Sequence, residues 1–141
     1  MKIGKFTLLF SLLAAILLAA CQPAPPVDTL PVDEDYIYGQ DAVVESVDVL
    51  LLESFPLQAR AVVTGYLPDG CTELVKVNVD RQDNEFLLTL TTRRPAGDVV
   101  CTMVLQLIEE TVTLDIEGLP AGTYTVVAQD QQAQFTLDVD N

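Results

Sequence analysis

The sequence contains no histidine and no tryptophan, and its aromatics are limited to five phenylalanines and four tyrosines. Without histidine, the commonest general base near neutral pH and a leading metal ligand are both missing. Serine is nearly as scarce: after Ser11 only Ser46 and Ser54 occur, with no GxSxG elbow and no partner for a nucleophilic triad. No glycine-rich phosphate loop follows a strand and opens a helix. Basic residues are few, seven against 21 acids, for a net charge of −14. Such a surface repels the phosphate backbone, so no nucleic-acid partner is expected. No cofactor-binding pattern is present.

What the chain does have begins at its N-terminus. Lys2 and Lys5 precede an apolar run from Phe6 to Leu18, which ends in Leu18-Ala19-Ala20-Cys21. The run is short of the ~20 residues a membrane-spanning helix needs, and its flanks match a signal peptide. Small residues before a cysteine at this place resemble the bacterial lipobox. The resemblance implies a signal peptide over residues 1–20, cleavage before Cys21, and lipid on that cysteine as the attachment to a membrane. Gln22 stands where an aspartate would signal inner-membrane retention. The expected location is therefore the outer membrane of a Gram-negative envelope, or the outer face of the cell membrane where there is only one. A transmembrane helix and an ordinary secretory signal are the alternatives. Removing Lys2 and Lys5 with the signal leaves 21 acids against five bases, or −16. Such a charge keeps a crowded, anchored protein soluble.

Three cysteines occur. With Cys21 taken by lipid, Cys71 and Cys101 remain as an even pair in an oxidising compartment, where a disulfide is expected. Closing a loop of about thirty residues is worth roughly 3.5 kcal/mol on the chain-entropy account. The pair lacks CxxC spacing, which argues against redox activity, and no histidine accompanies it to complete a metal site.

Residues 21–40 read as lipidated cysteine and disordered tether, rich in proline (Pro23, Pro25, Pro26, Pro31) and acid (Asp33, Glu34, Asp35). Such a segment extends at about 3.1 Å per residue. Tyr36, Ile37 and Tyr38 break its polarity, and either dock on the domain or start an edge strand. From Asp41 to Asn141 the apolar period is two and the helical period is absent. Strands are predicted over 42–52, 57–66, 73–81, 85–92, 110–117, 123–129 and 133–139, with 101–108 ambiguous. Expected core positions include Ala59, Ala61, Val63, Val75, Val77, Val79, Phe86, Leu88, Leu90, Leu114, Ile116, Tyr124, Val126, Phe135, Leu137 and Val139. The 42–52 run carries apolar residues on both parities, which implies two covered faces or a change of sheet. Gln82-Asp83-Asn84 joins two runs as a hairpin. About seven strands with turns between them indicate an antiparallel β-sandwich; a small barrel is the other candidate.

Gly118-Leu119-Pro120-Ala121-Gly122-Thr123-Tyr124 resembles the E–F corner of immunoglobulin-like and fibronectin type III domains. That resemblance implies an immunoglobulin-like sandwich in which the Tyr124 hydroxyl bonds back to the corner. The core tryptophan of immunoglobulin domains is missing. Cys71 and Cys101 sit beside turns, so the bridge is expected to staple a loop to a strand edge.

Remaining candidates are few. Glu109-Glu110 and Asp115 with Glu117 are the carboxylates a glycosidase-type hydrolase would need; a solvated strand face is the ordinary explanation. Asp33-Glu34-Asp35 and Asp138-Val139-Asp140 are acid clusters without EF-hand spacing, and no metal site is expected. Arg93-Arg94-Pro95 reads as a loop holding two of the five bases after the signal, and is a candidate recognition loop. Arg94-Pro95 and Thr64-Gly65-Tyr66 are faintly similar to the loops of chagasin-like cysteine-protease inhibitors. The expected function is a non-catalytic, lipid-anchored extracytoplasmic binding or structural module with an envelope or extracellular protein partner. An inhibitor or chaperone-like partner of an envelope or secreted enzyme is the alternative.

Overall fold

The computed structural model describes residues 34–141, so the expected signal peptide over 1–20, Cys21 and the expected tether up to Asp33 lie outside the described residues. Eight strands follow: β1 (Tyr36–Gly39), β2 (Val43–Leu52), β3 (Gln58–Leu67), β4 (Glu73–Gln82), β5 (Glu85–Pro95), β6 (Gln106–Leu114), β7 (Gly122–Ala128) and β8 (Gln131–Leu137). They form two sheets, one of β2, β3 and β6, the other of β1, β4, β5, β7 and β8. This is an all-β sandwich with one strand more than the seven expected. The extra strand is β1, inside the span read as tether; of the two alternatives for Tyr36, Ile37 and Tyr38, it is the edge strand. Its register runs from Tyr36 opposite Pro95 to Gly39 opposite Thr92.

The all-antiparallel expectation fails at one pair. β5 and β7 run parallel, Glu85 opposite Thr125 through Leu88 opposite Ala128. The chain leaves β5, crosses to the other sheet as β6, and returns. A parallel neighbour requires such a long crossover, whereas a tight turn permits only antiparallel pairing. β5 is long enough to hold β7 along its first half and β1 along its last residues, with β4 on its other edge.

Two hairpins close with two-residue loops, Asp83-Asn84 and Gln129-Asp130. The first residue of each is left-handed, Asp83 at φ 52° and Gln129 at φ 56°. The short polar side chain of Asp83 tolerates that region, and Gln129 is held there by side-chain bonds to the Val44 N–H and the Ala42 carbonyl.

The core follows the period of two. Ala59, Ala61 and Val63 of β3, Phe86, Leu88 and Leu90 of β5, and Tyr124, Val126 and Ala128 of β7 are all buried. Leu114, Ile116, Phe135 and Leu137 complete it. Phe86, Tyr124 and Phe135 form a ring cluster with centroids 5.4–6.2 Å apart. The mixed parity of β2 comes from a bulge between Val44 and Ser46. The extra residue resets the alternation, so Val44 and Val47 both face the core. A bulge between Leu74 and Lys76 likewise turns Val75 outward, and Leu74 packs on the core in its place. Val139 also departs from expectation: it lies beyond β8 and is exposed.

Candidate interaction surfaces

Register places the chain's features at two ends. At one end lie the start of β1, the β3–β4 connection and the β5–β6 connection. At the other lie the β2–β3 connection, the β6–β7 connection and the last residues of the sequence.

The first end is stapled. Cys71 and Cys101 form a disulfide, S–S 2.11 Å and Cα–Cα 5.5 Å. Both lie outside strands, so the bridge joins two connections and does not reach a strand edge as expected. Around it the Gly70 N–H donates to the Thr102 carbonyl at 2.9 Å, and Gln106 Nε2 donates to the Asp69 carbonyl at 2.6 Å. Asp69 caps the turn. Its Oδ1 accepts from the N–H groups of Cys71 and Thr72 and from the Thr72 hydroxyl, at 2.8–2.9 Å. These bonds, the Cys71 N–H foremost, hold its carboxyl below the usual aspartate pKa. Asp69 and the two sulfurs lie within 4.8 Å of one another, as metal ligands would. The sulfurs are spent on each other and the carboxylate on the turn, so the group serves as a structural knot.

Arg93, Arg94 and Pro95 are not in a loop. They are the last three residues of β5, paired with β1. Arg93 donates from Nε to Glu73 Oε2 at 2.9 Å, and its guanidinium lies 4.4 Å from the Tyr36 ring centroid. The Glu73 hydrogen bond first of all strengthens the guanidinium's hold on its proton. Arg93 therefore bridges β4, β5 and β1 and is half-buried, while Arg94 is exposed. Thr64-Gly65-Tyr66 also lies in a strand, in the middle sheet position of β3. Gly65 is opposite the β2 bulge, where a Cβ would overlap the Val43 carbonyl oxygen. Its glycine is explained by close backbone approach.

At the opposite end Phe55 projects fully, 103% exposed, from the β2–β3 connection. It lines a groove of about 480 Å³ with Leu51, Leu57 and Val139. Asn141 fixes the floor: it exchanges two bonds with the Leu57 backbone and donates to the Ile116 carbonyl at 3.0 Å. The sequence signal for this groove was Phe55-Pro56, a large apolar residue placed in a turn. Asp140 is engaged as a turn acceptor, taking the Ala121 N–H at 2.8 Å. Asp115 and Glu117 line a separate shallow groove shared with Arg81, while Glu109 and Glu110 are exposed on β6.

Tyr124 occupies the expected corner, its hydroxyl donating to the Pro120 carbonyl at 2.9 Å. The family model of the ORF11 beta-sandwich domain matches residues 61–137, from within β3 to the end of β8. The chain belongs to the ORF11 beta-sandwich domain family. A relative from Herpetosiphon aurantiacus, the "Uncharacterized 10.2 kDa protein in HgiCIIM 5'region", is 33% identical over 89 residues, 62% of this chain and 92% of the relative. No solved structure matches. The ORF11 beta-sandwich match spans both sides of the disulfide and the Tyr124 corner, and omits β1, β2 and the Phe55 connection.

Proposed function

We propose that this protein is a lipid-anchored, extracytoplasmic recognition module, carried on Cys21 and engaging an envelope or extracellular protein partner by the end remote from the chain entry. The observation that carries this reading is Phe55, a large aromatic left wholly in solvent above a groove with apolar walls. Buried aromatic anchors dominate the energetics of protein interfaces, and a rim of polar groups such as Thr136 and Asp138 surrounds them here. The lipobox-like Leu18-Ala19-Ala20-Cys21 supports the anchor. The Tyr124 corner supports kinship with immunoglobulin-like sandwiches; the parallel β5–β7 pair sets this sheet apart from their antiparallel pattern. Recognition without turnover fits carboxylates that are exposed on β6, as Glu109 and Glu110 are, or that serve turns, as Asp69 and Asp140 do. The inhibitor alternative draws on Arg94-Pro95 and Thr64-Gly65-Tyr66, which are strand residues, and gains nothing from their placement.

Crosslinking capture from native membranes tests the reading. The full chain should retain a defined partner protein that Phe55→Ala loses, while Cys21→Ser should release the protein from the membrane fraction. Capture unchanged by Phe55→Ala would remove the groove from the account, and full membrane retention of Cys21→Ser would remove the lipid.

A further inference from the structure

The ten residues Val99–Ile108 contain no charged side chain, in a chain where one residue in five is charged. They do not supply the core. Val100 is 98% exposed, Met103 89% and Leu107 84%, with Val104 and Leu105 also open to solvent. Sheet periodicity does not explain this, since Cys101–Leu105 precedes β6 and forms no ladder. Nor is the segment loosely held. The disulfide at Cys101, the Thr102 carbonyl and the Gln106 amide tie it to the β3–β4 turn on both sides of Met103, Val104 and Leu105. A fixed, uncharged, apolar surface of this kind marks an interaction site.

The chain entry says what faces it. β1 begins opposite Pro95, and the Ala96 N–H donates to the Asp35 carbonyl at 2.8 Å. The described chain therefore starts at the end of the sandwich that carries this segment, remote from Phe55, and residues 1–33 precede that point in the sequence. Those residues include the apolar run Phe6–Leu18 and Cys21. Twelve residues, 22–33, separate Cys21 from the described domain, a reach of at most about 40 Å when extended at ~3.1 Å per residue. An anchor that close keeps the segment at high effective concentration over the bilayer, so even weak interfacial affinity is realised.

We infer that Val99–Leu107 is a membrane-contact element that seats the stapled end of the domain on the lipid surface and points Phe55 away from it. The inference rests on the lipid-anchor reading above and adds the orientation. With no charge in the segment, contact depends on apolar insertion at the interface and not on anionic headgroups, which the acidic domain repels.

The test places a photo-crosslinking amino acid at Met103 or at Phe55 of the full chain in bacterial membranes and examines the adducts. Lipid adducts are expected at Met103 and none at Phe55, and Val100→Asp should abolish the Met103 adducts while the protein still sediments with the membrane through Cys21. Adducts at Met103 to another protein or to a second copy overturn the inference, as does equal labelling at the two sites. Each of these results would leave the anchor reading intact if the parent protein sediments. A parent protein found wholly in the soluble fraction would overturn both.

Discussion

The Tyr124 hydroxyl donates to the Pro120 carbonyl four residues earlier, at 2.9 Å. The ring is buried against Phe135 at 5.4 Å, so one side chain fixes both the corner before β7 and the aromatic centre of the core. Tyr124→Phe keeps the ring and loses the bond. It should lower stability by about 1–1.5 kcal/mol, since the Pro120 carbonyl loses its partner. Urea unfolding should show a lower midpoint with an unchanged slope.

Gly65 is required by a backbone contact. Gly65→Ala places a methyl group on the Val43 carbonyl at the β2 bulge, where no side chain can move aside. The expected cost is about 1–3 kcal/mol, as for overpacking elsewhere. Thermal unfolding of this variant beside Gly70→Ala would read it.

Cys71→Ser with Cys101→Ser removes a bridge that closes a separation of 30 residues. The double variant should lose roughly 3–4 kcal/mol on the chain-entropy estimate. Mass mapping of the native protein without reductant should recover the two cysteines as one linked pair. Two alkylatable thiols in native protein would contradict the bridge.

Asp69 makes the stapled end sensitive to acid. Its carboxyl is held below the ordinary aspartate value, first by the Cys71 N–H, so the folded state favours the charged form. The resulting stability is present at neutral pH and is lost as pH falls below about 4 through the folded-state pKa. Asp69→Asn should therefore differ from the parent most at neutral pH, with the two melting curves converging on acidification. A constant difference across the acidic range would assign the effect to something other than this charge.

Gln129 joins the sheets at the β7–β8 turn. Its Oε1 accepts from the Val44 N–H at 2.9 Å, and its Nε2 donates to the Ala42 carbonyl at 2.7 Å. Gln129→Ala removes both bonds and puts alanine in a left-handed position, for an expected loss of about 2 kcal/mol. Hydrogen exchange should quicken at Val44 before it does in the β3–β6 ladder.

By itself the sequence determined the sheet class and most of the core. Alternation at Ala59, Ala61 and Val63, at Phe86, Leu88 and Leu90, and at Tyr124 and Val126 is a local property, and it survives in the fold unchanged. The turn at Asp83 and the pairing of Cys71 with Cys101 were equally legible, because turn chemistry and cysteine number are written locally. Only the tertiary structure decided the rest. The bulges at Glu45 and Val75 shift which apolar residues face inward, and they depend on the partner strand. β1 became a strand because β5 outruns β7 and leaves an edge to be paired, which drew Arg93 to Pro95 out of the expected loop. The ambiguous apolar run from Cys101 stays outside the core as far as Leu105, and Val139, expected inside, is exposed. Hydrophobicity says that a side chain prefers burial; whether a second sheet is there to bury it is settled by contacts distant in sequence.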